Sequence, residues 1–220
     1  MTVHNSPEDI WYPTLPSLAT RTPSLRSQFA ATSSFVIDRR LVRSESNIEL
    51  YVGMALSTRP DVETIVEQPP RVPYIDRGVQ YHHTFDFRLD RIPPRRTAVA
   101  VKWSDRIESS GIRRIVRLIA EQCGTDFADD ICIITEKDLS RNDRHNVELI
   151  HESMMVPNAM DDAIVREAAA EFQGAVTIAD LVGLTGLRGA GFRAVARLIG
   201  GRILRLVDDR IDSDARVRRA

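Results

Sequence analysis

The sequence predicts an α/β fold in two parts: a central mixed sheet covered by helices, then a small helical domain that ends in a hairpin. Three observations predict it. Apolar residues at helical spacing bracket strand-like runs between Ser46 and Cys123. Paired prolines, Pro69-Pro70 and Pro93-Pro94, punctuate those runs where the chain must turn. From about Ala159 onward the pattern becomes helical and closes on a short β signal. The chain has 220 residues, 43% hydrophobic and 28% charged, which is ordinary for a globular protein and enough for one medium and one small domain.

The elements follow in order. Residues 1–30 carry Pro7, Pro13, Pro16 and Pro23 among many Ser and Thr, and read as an extended or disordered arm that Trp11 and Tyr12 would anchor. A helix is expected from about Ser46 to Ser57, with Ile48, Val52 and Ala55 on one face and Pro60 as its stop. Strands are expected over about Val62–Ile75, broken at Pro69-Pro70, then about Gln80–Leu89 and about Thr97–Trp103. Ile112, Ile115, Val116 and Ile119 repeat at helical spacing, which gives a helix over about Glu108–Cys123 capped by Gly124. Ile131–Ile134 reads as a short buried strand, and a helix over about Asn142–Met154 closes an α-β-β-β-α-β-α unit.

The last part begins with a helix at Asp161–Phe172. Thr177 and Asp180 form a capping box for the next helix, which Gly186 ends. Arg188–Gly200 makes a third helix, with Phe192, Val195, Ala196 and Ile199 as its core stripe. Arg202–Val207 and Arg210-Ile211 flank Asp208-Asp209 as a hairpin. Three helices and a hairpin make a winged helix-turn-helix, and Arg188, Arg193 and Arg197 on its third helix are the candidate DNA-binding residues. A winged helix that docks on protein instead has the same pattern.

Bulk properties narrow the function. Net charge is −1, so the chain is not globally basic. Arginines nevertheless cluster between Arg88 and Arg117 and again between Arg188 and Arg205, and such patches serve either nucleic acid or a solvated face balanced by acids. No apolar run approaches the ~20 residues of a membrane span, and no basic segment followed by an apolar one marks a secretory signal. Cys123 and Cys132 form no close metal pair and read as reduced core residues. A cytoplasmic location is expected.

The chemistry concentrates at Glu49, Asp86 and Lys102. Asp86 sits in Thr84–Leu89 and Lys102 ends Thr97–Lys102, both of which read as buried strands. A charge there requires a partner or a ligand. Of 30 basic residues only Lys102 and Lys137 are lysines, so a compact, deprotonatable cation is retained at 102 in a chain that otherwise uses arginine. Cutting a phosphodiester requires a divalent ion held by hard oxygens. Asp86 would be the central ligand, Glu49 the second and the Val101 carbonyl the third, with Lys102 neutralising the phosphate or orienting water. Each residue has a plainer role: Glu49 completes a capping box with Ser46, and Asp86 pairs with Lys102 as a buried ion pair. His82 alternates onto the face of Asp86 and stays outside the catalytic set.

Ser44–Leu50, Val66–Pro70, Thr84–Phe87 and Val99–Lys102 together resemble the N-terminal domain of TnsA-type transposon endonucleases, which belong to the restriction-endonuclease-like nucleases. The resemblance spans about residues 40–135. It implies a restriction-endonuclease-like α-β-β-β-α-β core within residues 31–155 and a winged-helix-like domain over 156–220. It also implies Glu49, Asp86 and Lys102 as catalytic positions and Mg²⁺ or Mn²⁺ as cofactor. Double-stranded DNA would be the substrate, with an integrase-type transposase and an ATP-dependent regulator as partners. One departure stands out: where the family carries Glu or Gln two residues before its lysine, this chain has Ala100. Glu67, Gln68, Asp105 and Glu108 are the candidate replacements; without one, the domain would be a nuclease fold that binds DNA as a scaffold and does not cut it.

Overall fold

The computed structural model describes residues 15–20, 33–37 and 40–220. It is a mixed α/β structure in two compact units, Leu15–Ser140 and a C-terminal unit that contains Arg141–Ala220. None of the described helices is long and apolar enough to cross a membrane. Most of the expected N-terminal arm, including Trp11 and Tyr12, lies outside the described residues.

In the first unit a hairpin of β1 (Ser33–Ile37) and β2 (Arg40–Ser44) precedes helix α1 (Asn47–Ser57). The strands β3 (Val62–Glu67), β6 (Phe87–Arg91), β7 (Arg95–Val101) and β8 (Asp130–Ile134) form one four-stranded sheet in that order. The first two pairings are antiparallel and β7–β8 is parallel, so the sheet is mixed, as the sequence predicts. The expected strand over Val62–Ile75 is two strands. Past Pro69-Pro70 the chain leaves the main sheet and makes a separate hairpin, β4 (Val72–Asp76) with β5 (Val79–His83). Gln68, at φ 44, turns the backbone out at that point. The expected strand over Gln80–Leu89 is likewise split, with Thr84–Asp86 between β5 and β6.

Helices cover the two faces of the sheet. Gly53 lets α1 approach closely: a Cβ there would lie 2.3 Å from the Phe35 ring and 3.0 Å from the Phe87 ring. A cluster containing Phe85, Ala98, Ala100, Ile107, Ile112 and Ile119 packs α2 (Ile107–Ser110) and α3 (Ile112–Gln122) on the sheet. The expected Glu108–Cys123 helix is broken at Gly111, which adopts φ 66. A short helix, α4 (Gly124–Phe127), leads into β8.

The second unit holds α5 (Arg141–Met154), α6 (Ala159–Ala170), α7 (Ile178–Thr185) and α8 (Gly189–Gly200). A three-stranded antiparallel sheet completes it, in the order β10 (Leu204–Leu206), β11 (Arg216–Arg219), β9 (Val176–Thr177). Helix α5, expected to close the first domain, belongs here. Its Ile150 joins the core of Val165, Leu181, Val195 and Leu198, and a Cβ on Gly200 of α8 would lie 2.5 Å from Ile150. The Thr177 capping box is present: the hydroxyl accepts the Asp180 amide at 3.1 Å and donates to the Asp180 carboxylate at 2.6 Å. The terminal hairpin is longer than Asp208-Asp209 suggests. Ile211 is not in a strand; it is buried in the core at 1% exposure, while Asp208 accepts the Arg216 amide at 2.7 Å and so fixes where the second strand begins.

Candidate functional site

Glu49 is held at the start of α1 by its own capping geometry. The Ser46 hydroxyl accepts the Glu49 amide at 3.3 Å and donates to Glu49 Oε1 at 2.8 Å. The Glu45 amide donates to Glu49 Oε2 at 2.8 Å. The capping role is therefore real, and it also fixes the carboxylate, because each oxygen accepts one bond and retains a lone pair.

Asp86 is not inside a strand. It immediately precedes β6, and its backbone continues the ladder by donating to the Val99 carbonyl at 3.0 Å. Its side chain folds back so that Oδ2 accepts the Val101 amide at 2.6 Å. Lys102 likewise stands just past the end of β7, where its amide donates to the Ile134 carbonyl at 3.0 Å. Both charges thus sit at one end of the sheet, half-buried.

The three groups act on one another electrostatically. Burial, then the charge of Glu49, raises the Asp86 carboxyl to about 7 against the bond from Val101 and the charge of Lys102. Burial also raises Glu49; its bonds from Glu45 and Ser46 and the Lys102 charge oppose that rise, and the Glu45 charge adds to it. The Glu49 charge disfavours the ionised form of Asp86, and a cation beside them would relieve that cost. Lys102 does not neutralise them by contact: among the described residues it makes no close ion pair, so the buried Asp86–Lys102 salt bridge is absent.

His83, and not His82, is the additional residue here. His82 is exposed in the β4–β5 hairpin, opposite Pro73. His83 packs edge-on against Phe85, with ring centroids 4.8 Å apart, and its Nε2 is buried with no hydrogen-bond partner. Burial, then the charge of Lys102, lowers its imidazole to about 4. A one-residue shift caused by the break at Thr84–Asp86 exchanges the two histidines, and strict alternation does not reveal it.

The four replacements considered for Ala100 fare differently. Glu67 is buried at 1% exposure and engaged by Arg40 at 3.4 Å, by the Leu18 amide at 2.9 Å and by the Ser17 hydroxyl. Gln68 anchors the N-terminal segment through its carbonyl, which accepts the Thr20 amide at 3.1 Å. Glu108 is exposed and pairs with Arg113 at 3.5 Å, and Asp105 is exposed. Ala100 itself is 1% exposed inside the apolar cluster of Phe85, Ile107 and Ile112. Among the described residues no three His, Cys, Asp or Glu side chains form a group able to hold a metal ion. Glu49 and Asp86 supply two carboxylates here, and hard oxygens of that kind are what a magnesium-type ion takes.

Most of the basic middle of the chain is internally balanced. Arg91 pairs with Asp61, Arg95 with Asp130, Arg114 with Asp76 at 2.5 Å and Arg88 with Asp90 at 3.4 Å. Arg193 is exposed on α8 and Arg188 is exposed at its N-cap, but Arg197 is not available to DNA. It is 8% exposed and donates to the Asp162 carboxylate at 2.8 Å and the Val156 carbonyl at 3.1 Å. Its place on the buried side of α8, among Ala194, Val195 and Leu198, is the reason. Compared with known protein families and with curated proteins, the chain matches none.

Proposed function

We propose that this chain is a metal-dependent DNA endonuclease of a mobile element, cutting one strand at each transposon end beside an integrase-type transposase and an ATP-dependent regulator. The observation that carries the reading is the Asp86 carboxylate, tied by the Val101 amide at 2.6 Å and disfavoured as an anion by burial and the Glu49 charge, beside an amine that does not neutralise it by contact. The resemblance to TnsA-type endonucleases supplies the transposition context, and a cytoplasmic location goes with it.

Glu49, Asp86 and the Val101 carbonyl would hold Mg²⁺ or Mn²⁺. Such an ion, when bound, polarises a phosphate and lowers the pKa of water. The protein's own residues do the rest. The Val101 amide fixes one Asp86 oxygen, and the other would serve as the ligand to an ion. The Ser46 and Glu45 bonds hold Glu49 in place, and Lys102 brings a cation to the phosphate being cut. The C-terminal unit, read as a winged helix-turn-helix, would dock on DNA or on a protein partner.

A second reading has its own observation. Ala100 stands buried in apolar contacts where the family has Glu or Gln, and this favours a restriction-endonuclease-like scaffold that binds DNA without cutting it. Nicking of supercoiled plasmid with Mn²⁺, with and without the transposase, separates the two. The enzyme predicts nicking by wild type that is lost in Asp86→Ala and Lys102→Ala; DNA binding without nicking under either condition assigns the scaffold.

A further inference from the structure

On the C-terminal sheet two arginines face each other with no acid between them. β10 and β11 pair so that Arg205 lies opposite Arg218, and Leu204 opposite Arg219. Like charges directly opposite in an antiparallel pair destabilise it. Elsewhere the chain offsets this cost by pairing: Arg216, on the same strand, bonds Asp208 at 2.7 Å, and Arg91 and Arg95, opposite each other on β6 and β7, pair with Asp61 and Asp130. Among the described residues Arg205, Arg218 and Arg219 make no side-chain hydrogen bond or ion pair. All three line one cavity of about 840 Å³, together with Phe172 and the Gln173–Ala175 turn, and no acidic side chain lines it.

Two unpaired guanidiniums side by side on one sheet face call for anionic groups, while Arg219, paired with Leu204, belongs to the alternate face of the same strand. The guanidinium fork matches phosphate oxygens bidentately, and arginine is the residue of choice for such contacts. The space exceeds what one inorganic phosphate fills, and its concave form suits a strand better than a flat lipid surface. We propose that this groove holds the sugar–phosphate backbone of a nucleic acid, with Arg205 and Arg218 each on a phosphate. The contact is sequence-independent: it positions the nucleic acid and does not read it. It is separate from the Glu49–Asp86 site and needs no metal.

The test is binding of the full chain to a short fluorescent DNA duplex of mixed sequence, without divalent ion, over a series of salt concentrations. Arg205→Gln with Arg218→Gln should weaken binding about tenfold or more and reduce the slope of log affinity against log salt by about 2. Arg113→Gln with Arg117→Gln, which removes two arginines already facing Glu108 and Glu121, should change little. The Arg205/Arg218 double variant should melt at or above wild type, because a like-charge opposition has been removed. If it melts lower, the single variants carry the test, each lowering the slope by about 1. An unchanged slope, an equal loss in the Arg113/Arg117 variant, or a loss seen only with anionic lipid vesicles overturns the proposal. The assay omits the metal, so its failure leaves the endonuclease reading intact, and failure of nicking leaves the groove intact.

Discussion

Asp86 accepts a 2.6 Å hydrogen bond from the amide of Val101, the residue just before Lys102. That bond ties the start of one strand to the end of its neighbour and holds an acid beside an amine without letting them touch.

The Asp86 carboxyl lies at about 7 in the folded protein against 3.8 ordinarily. Between those values the fold retains a proton that the unfolded chain releases, so stability falls as pH rises from about 4 to about 7. Asp86→Asn removes the ionisation and retains an acceptor for Val101. The metal-free variant should therefore exceed wild type by on the order of 1–2 kcal/mol near pH 8, discounted for partial exposure, and nearly match it near pH 4. Thermal melts at the two pH values measure the difference.

Gly53 controls the distance between α1 and the core. A methyl group there meets the Phe35 ring at 2.3 Å and the Phe87 ring at 3.0 Å. Gly53→Ala should cost about 1–3 kcal/mol in denaturant unfolding. Because α1 carries Glu49, the variant should also bind Mn²⁺ more weakly than wild type.

Ala100→Glu does not restore a ligand. The carboxylate would enter the cluster of Phe85, Ile107 and Ile112, which offers it no polar side-chain partner. We expect a loss of about 2–4 kcal/mol and no gain in Mn²⁺ affinity, read by urea unfolding and calorimetry.

Arg197→Ala removes one side of a largely buried ion pair and leaves Asp162 without its cation. Unfolding should become easier by about 3 kcal/mol. The salt dependence of DNA binding should stay as in wild type, because Arg197 is not at the surface.

Local chemistry was the legible part of this chain. Ser46 and Glu49 announced α1, Thr177 and Asp180 announced α7, and Pro93-Pro94 marked the turn between β6 and β7. What escaped depends on partners distant in sequence. Arg197 meets an aspartate 35 residues away. Helix α5 buries Ile150 against the C-terminal core, although its sequence adjoins the first unit. The hairpin β1–β2 has a weak signature, because Phe35, Ile37 and Val42 alternate within a Ser- and Arg-rich stretch. At the site, Glu49, Asp86 and Lys102 were legible as misplaced charges. The break that sets Asp86 at a strand end and turns His83 toward Lys102 was not, because alternation presumes an unbroken strand.

Titration calorimetry with Mn²⁺ near pH 8 bears most directly on the two-acid site. Wild type should bind one ion, and Glu49→Ala and Asp86→Ala should each lose most of that affinity while remaining folded. Failure of wild type to take up the ion, or undiminished binding after Asp86→Ala, would contradict it.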